Sequence, residues 1–310
     1  VQVYNIKLDS IVKVFKNNLA IGNFDGLHLG HKEIIKKLIL YSKTNNFSSA
    51  ILSFDPHPRQ FFSKDLKNFK IISEEDKIKL LDDLGVEYYF SLKFDSTIAS
   101  LSPINFVKQI LIDKLSTQNL VVGHDFQFGK DRKGNIKFLL EKSKELNFDI
   151  NIIEPFRSNK NSEIFSSSKI RDAIKNGNFE KANLFLDRKW SMKGIVIEGD
   201  KRASKMNFPT ANILPSDLIL PKKGVYAIKS NYMNEWFNGI ANFGERPTVN
   251  GKKLLLEVHL FDFNKNIYGK ELTVQFLTFI REEKKFANFE ILTEQIQQDI
   301  QKVKKYHAEI

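Results

Sequence analysis

Apolar and polar positions change their period once along the chain, and that change divides it. In the first part, short apolar runs at 19–21, 50–54, 120–122 and 150–153 alternate with stretches of helical period. Ile34, Ile35, Leu38 and Ile39 share one helical face, and residues 74–84 and 104–115 follow the same pattern. Residues 1–8 alternate like one more strand and lack the continuous apolar core of a signal peptide. Strands separated by helices predict a mostly parallel, doubly wound α/β sheet of the Rossmann kind. Two short helices, 169–175 and 179–186, follow, split by Asn176-Gly177-Asn178. From Trp190 onward the period is two: 195–197, 224–229, 237–242, 254–261 and 272–279 read as strands joined by turns, with no helix until 289–305. This predicts a closed or nearly closed antiparallel β-barrel with one terminal helix. The expected boundary lies near Asp187, giving domains 1–186 and 187–310.

Composition adds little to this picture but removes several alternatives. Hydrophobic residues are 42% and charged residues 27% of the 310, the balance of a globular chain, with no apolar run long enough to span a bilayer. The absence of cysteine excludes disulfides, thiolate metal sites and cysteine nucleophiles, and a cytoplasmic location is expected. The net charge of +11 suits polyanionic ligands, but the lysines, such as Lys36, Lys77, Lys114 and Lys222, are spread along the chain rather than clustered. No basic patch or RNA-reading signature accompanies them, so no nucleic-acid partner is expected, and an RNA-binding function is the rival from another class.

The most informative stretch is Ile21-Gly22-Asn23-Phe24-Asp25-Gly26-Leu27-His28-Leu29-Gly30-His31. A strand ends, glycines permit a tight turn, and a helix begins, which aims free N–H groups and the positive helix end at a phosphate. His28 and His31 are spaced to lie on one face of the first helical turn, Gly30 leaves room for a ligand near the backbone, and two imidazoles there can stabilise charge on an attacked phosphorus. The plainer alternative is a helix cap or a metal pair.

This His-x-Gly-His turn after Gly-x-Phe-Asp-Gly resembles the nucleotidyltransferase superfamily, and the segment is similar to the FMN adenylyltransferase domain of bacterial bifunctional FAD synthetases. Three further stretches agree in order and spacing: Phe54-Asp55-Pro56-His57-Pro58, Gly123-His124-Asp125-Phe126-Gln127-Phe128-Gly129, and Ser166-Ser167-Ser168-Lys169-Ile170-Arg171. The first stiffens a loop where Phe54 and His57 can meet a planar ring, or is a plain turn. The second presents Asp125, Phe126 and Phe128 to a flavin, or plugs the core with its phenylalanines. The third offers Ser166, Ser167, Ser168 and Arg171 to triphosphate oxygens, or is a serine N-cap. Ser168 and Lys169 stand where the family usually has threonine and arginine, and a lysine cannot grip phosphate bidentately.

In the second part, Phe208-Pro209-Thr210-Ala211-Asn212 follows a basic segment with Gly199, Lys201, Arg202 and Lys205. Thr210 and Asn212 can supply neutral oxygens to Mg²⁺ on nucleotide phosphates. Along 254–261, Glu257 and His259 take one face while Leu256 and Val258 take the other, so Glu257 is a candidate general base or an ordinary solvated carboxylate. These stretches, with Gly224-Val225-Tyr226, Asn242 to Thr248, Tyr268-Gly269-Lys270 and 281–286, are similar to riboflavin kinase. The resemblance implies that Thr210 and Asn212 hold the metal, that Glu257 takes the proton of the flavin 5′-hydroxyl, and that Arg281 and Phe286 lie near the flavin. It also implies a nucleotide loop at Lys201-Arg202-Ala203-Ser204-Lys205-Met206-Asn207, where Ala203 and Asn207 replace the usual glycines and Ser204 a basic residue. The implied substrates are riboflavin, FMN and ATP with Mg²⁺. The alternative within the class is an FMN adenylyltransferase whose barrel only binds flavin.

Overall fold

The apolar runs of the first part become the centre of a parallel sheet. Its strands are β1 (Gln2–Ile6), β2 (Asn17–Ile21), β3 (Ser48–Asp55), β4 (Tyr88–Lys93), β5 (Thr117–Gly123) and β6 (Asp149–Ile153). They are ordered β1-β4-β3-β2-β5-β6, and every neighbouring pair is parallel. Strands covered on both faces need apolar residues in succession, which is why they read as continuous runs. Leu19, Ile21, Ala50, Leu52, Leu120 and Val122 enter one core, whereas Ala20, Ile51 and Val121 enter the opposite one. The computed structural model describes residues 1–12, 16–63, 66–156, 163–198, 208–248 and 251–309. Two compact units comprise Val1–Lys67 with Ile72–Ser167, and Asn68–Ile71 with Ser168–Ile310.

Two features of the first unit depart from the periodicity. β4 has no counterpart among the expected strands, because Ser91 and Lys93 interrupt its apolar residues although Tyr89, Phe90 and Leu92 are wholly buried. The helix expected over 104–115 begins at Pro103–Asn105 and continues as a wider π-type stretch, Phe106–Ile112.

In the second unit the period-two segments close into a barrel. Its strands are β7 (Ser191–Ile197), β8 (Ala211–Ile213), β9 (Gly224–Tyr232), β10 (Glu235–Thr248), β11 (Gly251–Leu260) and β12 (Glu271–Arg281), ordered β10-β11-β8-β7-β12-β9. All pairs are antiparallel. Leu256, Val258, Leu272, Val274 and Phe276 are fully buried at alternate positions. The terminal helix Phe289–Ala308 covers Val225, Ala227, Ile240 and Leu277 with Val303. The expected boundary lies near Asp187, whereas the compact division falls after Ser167, so helix Phe179–Leu186 belongs with the barrel. It is tied there by Asn183, whose amide donates to Phe276 O at 3.0 Å and accepts from Trp190 N at 2.6 Å.

Candidate active sites

Chain order in the parallel sheet reverses between β2 and β5, and ligands of open α/β sheets bind in the crevice at the carboxyl ends of such strands. The turn leaving β2 is one wall of that crevice. Gly22 N continues the ladder to Leu52 O at 3.1 Å, and then Phe24, Gly26 and Leu27 adopt φ of 48°, 84° and 44°. Left-handed backbone is costly for Phe24 and Leu27, and such strain persists where surrounding structure enforces it. Leu27 N closes the turn on Phe24 O at 3.0 Å, and Ser167 Oγ braces it by donating to Asp25 O at 2.8 Å. The N–H groups of Asn23 and Phe24 have no hydrogen-bond partner among the described residues, and neither has the buried Asn23 Oδ1.

Helix Leu29–Asn45 starts from this turn with His28 as its N-cap, Nδ1 accepting from His31 N at 3.3 Å. A neutral ring whose Nδ1 accepts carries its proton on Nε2, so cap and ligand donor are compatible roles for His28. The two imidazoles stack at 3.7 Å and 17°, and His31 also meets the Phe24 ring edge-on at 5.2 Å. A Cβ at position 30 would lie 3.1 Å from His28 Cε1, so glycine there makes space for the His28 ring. Gly30 serves the placement of His28.

His57 also caps a helix, Pro58–Phe62, accepting from Arg59 N at 3.1 Å. Phe54 is half-buried and packs on Phe94 at 5.7 Å and Phe106 at 6.3 Å. After β5, Asp125 is exposed and Phe126 half-buried, but Phe128 is 6% exposed and lies in the core against Phe106 and Phe138. The stretch 166–171 is divided, with Ser166 and Ser167 in the first unit and Ser168 and Arg171 in the second. The buried Arg171 guanidinium lies 3.8 Å above the Phe69 ring and donates to Phe69 O at 3.0 Å.

In the barrel, antiparallel register does what sequence cannot display. Asn242 of β10, Glu257 of β11 and Asn212 of β8 are directly paired across three neighbouring strands, so their side chains share one face. Asn242 Nδ2 donates to Glu257 Oε2 at 3.3 Å, and Arg246 forms an ion pair with the same oxygen. Arg246 also reaches Glu283 at 3.2 Å; burial opposes its charge, and the two carboxylates outweigh burial and raise its pKa. Asn212 is 6% exposed, and its amide has no hydrogen-bond partner among the described residues. With Thr210 two positions earlier, this is an oxygen-rich donor set that fits a hard cation carried by phosphates. Beside it opens a cavity of about 580 Å³ lined by Phe208, Pro209, His259, Phe261 and Phe263 among others, with His259 Nδ1 2.9 Å from Pro209 O.

Two further expectations concern the barrel. The Arg281 guanidinium pairs with Asp299 of the terminal helix, with Nε 2.8 Å from Oδ2, and its Cζ lies over the Phe286 ring, 5.8 Å from the centroid. Gly199, Lys201, Arg202 and Lys205, with the rest of the loop to Asn207, lie outside the described residues. Sequence reasoning missed Arg246 and Asn242 as partners of Glu257, because cross-strand register leaves no local signal. It also missed Lys77, although its spacing to Leu81 on a helix gave a signal: both are buried on one face.

Comparison with known proteins covers both units. The family model for FAD synthetase matches residues 13–169, and that for riboflavin kinase matches residues 186–307. The bifunctional riboflavin kinase/FMN adenylyltransferase of Bacillus subtilis is 37% identical over 95% of this chain and 94% of that protein. The protein of the same description from Haemophilus influenzae is 39% identical over 93% of each. A crystal structure described as a macrolide-efflux protein from Streptococcus pneumoniae aligns with TM-score 0.87 at 26% identity, covering 98% of this chain and 99% of that one. No helix among the described residues is long and apolar enough to cross a membrane.

Proposed function

The chain belongs to the family of bifunctional riboflavin kinase/FMN adenylyltransferases, and from that premise we propose how its residues divide the two reactions. It converts riboflavin and ATP to FMN, and FMN and a second ATP to FAD. We assign phosphorylation to the barrel, within residues 187–310, and adenylyl transfer to the parallel-sheet unit that ends at Ser167, within residues 1–186.

In the barrel, the riboflavin 5′-hydroxyl attacks the γ-phosphorus, its proton passes to Glu257, and the bond to the bridging oxygen breaks to release ADP. Arg246 and Asn242 hold Glu257 in the row that it shares with Asn212. Thr210 and Asn212 would hold Mg²⁺, which offsets charge on the phosphates when bound. The cavity beside Phe208 and His259 suits a planar base.

In the first unit, an FMN phosphate oxygen attacks the α-phosphorus of ATP and pyrophosphate leaves. The nucleophile is already anionic, so the work is positioning and charge stabilisation. The turn 22–27, the helix end and His28 Nε2–H supply donors for it, with His31 stacked behind His28 and Ser167 bracing the turn. Phe54, His57, Asp125 and Phe126 flank the flavin, and we place the enzyme in the cytoplasm.

The observation that carries the assignment is the cross-strand row of Asn242, Glu257 and Asn212 in one unit and the strained, histidine-capped turn at the sheet's switch point in the other. Incubating the chain with riboflavin and MgATP and resolving FMN from FAD over time tests it. FMN first and FAD after it is the expected course; FAD absent when FMN is supplied directly refutes the assignment.

A further inference from the structure

Beneath the turn that follows β2 lies a buried polar chain that neither reaction uses directly. Lys77, on helix Glu74–Asp83, is 6% exposed although it carries an ammonium. Its Nζ pairs with Glu74 Oε2 at 2.8 Å, donates to Ser53 Oγ at 3.3 Å and lies 5.4 Å from the centre of the Tyr89 ring. The Tyr89 hydroxyl donates to the other Glu74 oxygen, Oε1. Ser53, on β3 and 1% exposed, donates in turn to Asn23 O at 3.4 Å.

The direction of this chain follows from chemistry. An ammonium only donates, so Ser53 Oγ accepts from Lys77, and the single hydroxyl proton of Ser53 is available to Asn23 O, with the Tyr89 hydroxyl oxygen as its other acceptor. A trans peptide holds its C=O and N–H on opposite sides. Pinning Asn23 O toward Ser53 therefore turns the Phe24 N–H away from the buried chain, and that N–H has no partner among the described residues. Phe24 also has φ of 48°, a conformation a phenylalanine keeps only when held. Packing alone does not account for the charge, since a methionine would fill the space without desolvating an ammonium.

We propose that Lys77, acting through Ser53, is a positioning residue for adenylyl transfer: it fixes the Asn23–Phe24 peptide so that the Phe24 N–H faces a phosphate oxygen of ATP. The inference rests on the function assigned to the first unit. It requires that loss of the Ser53 hydroxyl weaken the use of ATP, not the binding of flavin.

Ser53→Ala, Ser53→Cys and Lys77→Met in the full chain test this by steady-state FAD formation from FMN, varying MgATP and FMN separately. The expected result is a fall of roughly tenfold in kcat/KM for MgATP with Ser53→Ala, the scale of one hydrogen bond. KM for FMN and riboflavin phosphorylation should stay within about twofold. Ser53→Cys, a weaker donor of similar size, should fall between. If Lys77→Met proves unstable, Ser53→Ala carries the test alone. Unchanged kinetics in Ser53→Ala overturn the inference, as does an equal loss for both substrates or a parallel loss of kinase activity and melting temperature. A wild-type chain that makes FAD beside an unaltered Ser53→Ala sinks the inference only; a wild-type chain that makes none sinks the function assigned to the unit as well.

Discussion

Glu257→Gln separates the chemistry of the barrel from its architecture. The substitution keeps the shape of the side chain and its place in the row with Asn242 and Asn212, but removes the charge and the proton-accepting capacity. Its structural cost is small. The Arg246–Glu257 pair is 32% and 25% exposed, so solvent screens it, and Arg246 keeps Glu283 at 3.2 Å. About 1 kcal/mol of stability is at stake, a shift of about 4 °C in melting temperature. The catalytic cost is far larger, since losing a general base slows a reaction by ~10² to ~10⁴. Following riboflavin phosphorylation by chromatography beside a thermal melt should therefore give a kcat loss of ~10² or more with a nearly unmoved melt, and FMN should still be converted to FAD at the wild-type rate. A loss below about threefold refutes Glu257 as the base. A melting shift above about 8 °C with matching loss of both activities shows instead that the carboxylate supports the fold.

Other outcomes follow from the same geometry. His28→Ala removes both the cap and the Nε2 donor, so FAD formation should fall ~10² while phosphorylation persists; the two rates measured on one preparation check it. Arg281→Met leaves Asp299 charged at 2% exposure and should cost about 3 kcal/mol in urea unfolding, with Asp299→Asn costing less because it strands only the partially exposed guanidinium. Burial, with Lys229 adding to it, holds His307 below the usual imidazole range. The unfolded chain therefore takes up that proton first as pH falls, and stability should decline from about pH 6.5 down to the folded value. Comparing melts at about pH 7.5 and about pH 5.5, His307→Gln should lose less stability than the parent.

Much of this architecture is legible in the chain because burial dictates period. β2, β3 and β5 are covered on both faces and read as apolar runs; β11 and β12 alternate because one face fills the barrel, while Val225 to Ile228 of β9 form a run because the terminal helix covers the other face. Short β8, Ala211–Ile213, has too few residues to show a period, yet it carries Asn212 to its place opposite Glu257. Spacing identifies the His28 turn as a helix start, but not that Gly30 yields its space to the His28 ring. Phe126 and Phe128 look equivalent in sequence; their exposure differs because Phe128 pairs with Gly134 in a short bridge that folds its ring inward. In sequence Arg171 looks available for triphosphate oxygens and Arg281 for the flavin. Phe69 and Asp299, distant in sequence, engage their guanidinium groups.

Two independent sites in one chain make a demand that a single shared site cannot meet. Mixing purified His28→Ala and Glu257→Gln proteins with riboflavin and MgATP tests it most directly. FMN released by the first variant should be adenylylated by the second, so FAD should accumulate in the mixture although neither variant alone produces it at more than a trace. A mixture as inactive as its components, while free FMN is present in solution, contradicts the account.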